Sequence, residues 1–142
     1  MSAGVVRADD ITPLKRWIWW AGFLLSALGL FVLLTSVRWK LTRQPFYVAE
    51  WRRIGYPENA LLGIGLLQLT CVVLYVIPRT AVLGMVLLTG YLGGAIASYV
   101  RMQEPNPVLV PLTTALLLWA GLYLREERLR SLLPFRTKTA RE

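Results

Sequence analysis

Histidine is absent from this sequence, and cysteine and acidic residues are scarce. The 142 residues include no histidine, one cysteine (Cys71) and eight acidic residues. Without histidine the chain lacks the commonest metal ligand and the usual proton carrier near neutral pH. One cysteine provides neither a disulfide framework nor a thiol pair for redox exchange. Phosphate-binding loops, metal-ligand spacings and nucleophile–base pairs are also missing, so the sequence predicts no catalytic residue and no metal site.

Long apolar runs are the dominant feature of the chain. Hydrophobic residues make up 56% of it and the mean hydropathy is +0.51, which is too apolar for an ordinary soluble domain of this size. Four runs without a charged residue approach the roughly 20 residues that cross about 30 Å of hydrocarbon. They cover residues 17–37, 60–77, 80–100 and 108–124. The sequence therefore predicts an all-α bundle of four transmembrane helices.

Basic residues outnumber acidic ones, and all sixteen lie outside the four apolar runs, which leaves a net charge of +8. Anionic lipid headgroups are a better counter-charge for such a pattern than nucleic acid. The two tails and the turn at Pro78 and Arg79 together hold ten of the sixteen. Because basic residues concentrate on the inner side of membranes, both termini are predicted to lie in the cytoplasm.

The ends of the chain differ from the predicted membrane domain, which covers residues 17–133. Residues 1–16 are interpreted as a cytoplasmic tail. After the fourth run, mixed charges and leucines predict that the helix continues until Pro134 stops it. Residues 134–142 are polar and are predicted to be disordered.

The longest connection joins the first and second runs and contains a predicted helix over residues 45–54. Pro45 suits a helix start and Gly55 a helix end. At helical spacing its apolar residues share one face and its arginines lie on another: Tyr47, Trp51 and Ile54 against Arg52 and Arg53. This pattern is typical of a helix that lies in the membrane interface. It serves either as a lid over one end of the bundle or as an element that grips a substrate or partner.

Small residues recur every four positions in the third run. Gly90, Gly94 and Ser98 form one row, and Gly93 with Ala97 forms a second row beside it. In lipid such rows let two helix backbones approach closely. We therefore predict a helix-packing face, with a groove for a flat or isoprenoid ligand as the alternative.

Few polar groups interrupt the apolar runs, and Gln68 is the most informative of them. Its amide needs a partner on another helix, so it is either a structural link or a ligand contact. No acidic residue or histidine lies within the runs, which argues against a proton-coupled transporter and against acid–base catalysis in the membrane. Lys40 and Arg101 follow apolar runs on the outer side, where long basic side chains can snorkel to the surface.

Five segments carry a family resemblance by their order and spacing. They are Arg38-Trp-Lys40, the loop ending Gly55-Tyr-Pro57-Glu, Ile77 to Gly84 (IPRTAVLG), the stretch LTGYLGGAIA from Leu88, and LYLR ending at Arg125. Over residues 20–135 the chain resembles the DoxX-like family. The resemblance implies a small four-helix integral membrane protein from a wider group that includes membrane subunits of quinone-linked oxidoreductase systems.

Two positions depart from the family pattern in ways that bear on function. Gln68 stands where relatives commonly carry glutamate, and Ser98-Tyr99 stands where relatives often show Thr-His. With these titratable groups absent, the resemblance implies a non-catalytic accessory or scaffold subunit of a larger redox complex in a bacterial inner membrane. The alternative is a quinone- or lipid-binding redox component in which Gln68, Tyr99, Lys40 and Arg101 line a crevice.

Overall fold

The computed structural model describes residues 13–132, and every regular element in that range is an α-helix. The six helices are α1 (Pro13–Leu41), α2 (Pro45–Ile54), α3 (Ala60–Val76), α4 (Ala81–Arg101), α5 (Leu109–Arg125) and α6 (Glu127–Leu132). No strand occurs between residues 13 and 132, so the all-α prediction is confirmed for them. The predicted tail at residues 134–142 lies outside this range, as do residues 1–12 of the other tail.

Helix ends follow local chemistry rather than the limits of the apolar runs. The first run was predicted over residues 17–37, but α1 extends past it at both ends because lysine and arginine are good helix formers. The chain then turns at Arg43, which has a positive φ of 48°. α2 opens on Pro45 and ends at Gly55, whose φ of 90° is a left-handed conformation that glycine adopts readily.

Two helices are long and apolar enough to cross a membrane, α1 and α4. The apolar helices α3 and α5 have 17 residues each, which corresponds to about 25 Å of helix. Large apolar side chains cover the outside of the bundle; Phe31, for example, is 69% exposed and Val100 is 60% exposed. Because contiguous apolar surface of this extent is rare on soluble monomers, this surface indicates contact with lipid.

The bundle is closed by backbone-to-backbone contact at a few glycines. α1 packs on α3 and α5, and α4 packs on the same two helices. A Cβ atom on Gly121 would lie 2.3 Å from Ser26 Oγ, and one on Gly22 would lie 2.9 Å from the Gly121 carbonyl oxygen. A Cβ atom on Gly84 would lie 2.3 Å from the Tyr75 nitrogen. Only glycine allows α1 and α5, and α3 and α4, to approach so closely.

The predicted continuous helix after the fourth run is instead broken at Glu126. Its backbone is extended, with φ −107° and ψ 100°. The Arg130 side chain donates to the carbonyl oxygen of Tyr123 at 2.9 Å and also to that of Leu124. These bonds satisfy carbonyl groups at the end of α5 that have no helical partner. α6 thereby turns back, and Leu129 packs against the core.

The glycine contact between α1 and α5 predicts a large effect of one methyl group. Gly121→Ala is expected to lower the free energy of unfolding by about 1–3 kcal/mol, because the methyl group would overlap Ser26 and force the helices apart. Unfolding in detergent followed by circular dichroism measures this. Gly63→Ala is the matched control, since no atom lies within 4 Å of its added Cβ. Equal effects of the two substitutions would contradict the packing described.

Candidate functional site

Lys40 is buried inside the bundle near the end of α1. Its side chain is 1% exposed, and Nζ donates to Gln68 Oε1 at 2.8 Å and to Ser36 Oγ at 2.7 Å. The expectation that Lys40 snorkels to the outer surface is therefore wrong. Gly65 of α3 gives the physical reason, because its missing side chain leaves room for Lys40. A Cβ atom on Gly65 would lie only 3.2 Å from the Cβ atom of Lys40.

Gln68 joins three helices through its amide group. Its Oε1 atom accepts hydrogen bonds from Lys40 Nζ and from the Tyr91 hydroxyl, the latter at 3.0 Å. Its Nε2 atom donates to the Leu33 carbonyl oxygen at 3.2 Å. The side chain is fully buried, so each of these bonds forms away from water, where an unmade bond is costly. Gln68 thus links α3 to α1 and α4.

Two tyrosine rings enclose the ammonium group. Lys40 Nζ lies 5.1 Å from the centre of the Tyr47 ring and 5.6 Å from the centre of the Tyr91 ring, which is within range of a cation–π interaction. The Tyr47 hydroxyl lies 3.4 Å from Ser36 Oγ. Burial raises the pKa of Tyr47, so its hydroxyl keeps its proton. Lys40, Ser36, Gln68, Tyr47 and Tyr91 are called the lysine cluster below.

A partly open cavity of about 250 Å³ lies beside this cluster, between α2, α3 and α4. Four tyrosines line it: Tyr47 from α2, Tyr56 from the loop before α3, and Tyr91 and Tyr99 from α4. Along one side Gly90 and Gly94 expose the backbone of α4 to the cavity. The cavity therefore has aromatic walls, phenolic hydroxyl groups and one flat side without side chains.

The small-residue rows of α4 do not pack against any other of the six described helices. No atom lies within 4 Å of a Cβ built on Gly90, Gly93 or Gly94. The row of Gly90, Gly94 and Ser98 lines the cavity. The second row, Gly93 and Ala97, is exposed and does not line it. The two rows, treated together in the sequence, therefore face different surroundings.

Charged residues hold α2 over the cavity. The Arg53 guanidinium donates to Glu50 at 2.6 Å and to Glu104 at 2.5 Å, which ties α2 to the connection between α4 and α5. Arg101 Nη2 donates to the Ile54 carbonyl oxygen at 2.6 Å, and Arg52 pairs with Glu58. Arg53 and Arg101 thereby tie α2 to the end of α4 and the loop after it, and Arg52 ties it to the loop before α3.

α2 also has the two faces expected from its sequence. Trp51 and Ile54 are buried, whereas Arg52 and Arg53 are exposed. The Trp51 indole N–H donates to the Pro57 carbonyl oxygen at 3.1 Å. The helix is therefore anchored by its apolar face, and it packs against α1.

The four residues predicted to line one crevice divide into three places. Lys40 and Gln68 are bonded to each other, and Tyr99 lines the cavity, but Arg101 binds the α2 backbone at the rim. Sequence reasoning did not identify Tyr91 as the partner of Gln68. A tyrosine in an apolar run needs a hydrogen-bond partner as much as a glutamine does, and that need could have paired the two.

The arrangement is that of a helical membrane protein with a cavity of small-molecule size. A family model described as the DoxX-like family matches residues 24–121, about two thirds of the chain. The chain belongs to the DoxX-like family, as its segments indicated. Comparison with curated proteins and with solved structures gave no match.

The shared acceptor in the lysine cluster predicts strong coupling between two positions. Gln68→Leu is expected to lower the free energy of unfolding by about 1–3 kcal/mol, because Lys40 and Tyr91 then lack their acceptor. Adding Lys40→Met should restore part of that loss, since the buried cation is gone. Chemical unfolding in detergent of both single variants and the double variant measures the coupling.

Thr70→Val is the control for this series. The Thr70 hydroxyl bonds only the Leu66 carbonyl oxygen of its own helix, so its loss should change stability little. Strictly additive losses in the Lys40 and Gln68 variants would contradict the cluster.

Proposed function

We propose that this protein spans a bacterial inner membrane four times, through α1, α3, α4 and α5, with both termini in the cytoplasm, and binds the ring of a quinone-type isoprenoid in the cavity. The mutual packing of these four apolar helices and their apolar outer surface support the four spans. The excess of basic residues in the tails supports the orientation. In this proposal the protein binds and positions the quinone, and electron transfer belongs to another subunit.

The cavity beside the glycines of α4 is the observation that carries the proposal. A planar ring can lie against the α4 backbone at Gly90 and Gly94, where no side chain intervenes. Trp51 and Tyr91 also line the cavity and can contact the remaining face or the edge of the ring, since aromatic rings pack favourably in both geometries. Phenolic hydroxyl groups are suitable donors for the carbonyl oxygens of a quinone.

The size of the cavity also fits a ring rather than a whole isoprenoid molecule. Its volume of about 250 Å³ lies just below the range of roughly 300–1,000 Å³ that is typical of small-molecule pockets. Because the cavity is partly open, an isoprenoid tail could leave it toward the lipid. The residues present therefore fit a quinone head.

Two neighbouring glycines provide a matched pair of variants to test quinone binding. Gly94→Leu is expected to weaken binding of decylubiquinone about tenfold or more, because the new side chain enters the cavity and removes about 1.4 kcal/mol of binding energy. Gly93→Leu should leave the affinity unchanged, since Gly93 does not line the cavity. Calorimetric titration in a non-ionic detergent measures both. No binding by the wild-type protein, or equal losses in the two variants, would contradict the proposal.

A second function is compatible with the first, that of an accessory or scaffold subunit of a larger redox complex. Its supporting observation is the exposed row of Gly93 and Ala97, which no helix between residues 13 and 132 covers. Small residues four apart form a surface on which a helix of another subunit can pack closely. The quinone would then lie one helix away from the partner.

Gly93→Leu and Gly94→Leu also test this second function, but here Gly93→Leu is the variant expected to have the larger effect. Gly93→Leu is expected to reduce the amount of partner subunit retained after gentle extraction from the native membrane, because leucine separates the two helices. Gly94→Leu should retain the partner, since its side chain points to the cavity. Quantitative mass spectrometry of the purified complexes measures retention. Equal retention by both variants would rule out the Gly93–Ala97 row as the contact.

A further inference from the structure

The charge of the lysine cluster is not balanced by any residue between 13 and 132. Among the residues that the structure describes, no carboxylate pairs with Lys40, and its two hydrogen-bond partners are neutral. Near the cavity, by contrast, the carboxylates of Glu50, which lines it, and of Glu104 both pair with the Arg53 guanidinium, and Arg101 donates to the Ile54 carbonyl oxygen. The rim is close to neutral, so the unbalanced positive charge is the buried ammonium.

This ammonium lies directly behind the cavity wall. Tyr47 and Tyr91 both line the cavity, and the centres of their rings lie 5.1 and 5.6 Å from Lys40 Nζ. Little water separates the charge from the cavity because Lys40 and Gln68 are both fully buried. Electrostatic interactions across so short and dry a path are much stronger than in water.

A chain of hydrogen bonds connects the Lys40 ammonium group to the cavity through Ser36 and Tyr47. An ammonium group can only donate, so Ser36 Oγ accepts from Lys40. The other partner of the Ser36 hydroxyl is the Tyr47 hydroxyl. Because Ser36 Oγ already accepts from Lys40, the Ser36 proton finds its own acceptor when it is donated to the Tyr47 oxygen. The Tyr47 hydroxyl can then donate its own proton to a group bound in the cavity. Tyr91 differs, because its proton is already donated to Gln68.

We propose that the cavity selects a quinonoid or phenolic ring that carries a negative charge, with the anionic oxygen accepting the Tyr47 proton and facing Lys40. The inference rests on the proposed function and specifies its ligand class. A buried charge without a counter-ion is costly, and a ring anion supplies the counter-ion that the protein lacks. A neutral quinone occupies the same cavity without that gain.

Lawsone and its methyl ether provide a direct test. Lawsone is a naphthoquinone whose ring hydroxyl is ionised at neutral pH, and its methyl ether has nearly the same shape without the charge. Wild-type protein in a non-ionic detergent, titrated by calorimetry, is expected to bind lawsone about tenfold more tightly than the ether. Equal affinities, with decylubiquinone still bound, would overturn the charge selection and leave quinone binding in place. Absence of binding by all three compounds would overturn both.

Two variants identify the source of the preference. Lys40→Met should reduce the ratio of the two affinities to about one, because the counter-charge is removed. Tyr47→Phe keeps the Lys40 charge and removes the phenolic donor, so it should lower the affinity ratio only partly. This variant provides the test if Lys40→Met does not fold. Arg79→Met, which removes an exposed positive charge in the turn between α3 and α4, should keep the wild-type ratio. A ratio that stays at the wild-type value in Lys40→Met or Tyr47→Phe, or that falls equally in Arg79→Met, would overturn the assignment.

Discussion

A lysine ammonium inside an apolar helical bundle needs groups around it that accept its hydrogen bonds or stabilise its charge. Lys40 obtains such groups from its own helix and from every helix around the cavity. Ser36 belongs to α1, Gln68 to α3, and the rings of Tyr47 and Tyr91 to α2 and α4. Because each of these contacts would be lost if its helix moved away, one buried group fixes the arrangement of four helices. The cavity lies beside this group, between α2, α3 and α4.

The other half of the bundle is held by a different kind of contact. There α1 and α5 meet at Gly22 and Gly121, and the Tyr75 hydroxyl, 2.8 Å from Ser26 Oγ, donates to the Leu118 carbonyl oxygen at 2.9 Å. This half is closely packed, whereas the half around Lys40 contains open space. A densely packed base that supports an open site keeps the site residues in position.

The all-α class, the apolar helices and the ends of α2 could be predicted from the sequence because they depend on local pattern. The roles of the glycines could not. Gly22 and Ser26 have the same spacing as Gly90 and Gly94, yet the first pair packs and the second lines a cavity, since only the neighbouring helix distinguishes them. The burial of Lys40 was missed for the same reason: the space and the acceptor that it uses come from a distant helix.

Quinone binding requires that the cavity is a binding site for a small molecule and not a gap filled by lipid chains. Native mass spectrometry of the protein, extracted from its own membrane in a mild detergent, tests this because it measures the mass of the chain together with its bound ligands. We expect a population in which each chain retains one quinone-type isoprenoid. Chains that leave the membrane only with phospholipid, under conditions that preserve the fold, would contradict it.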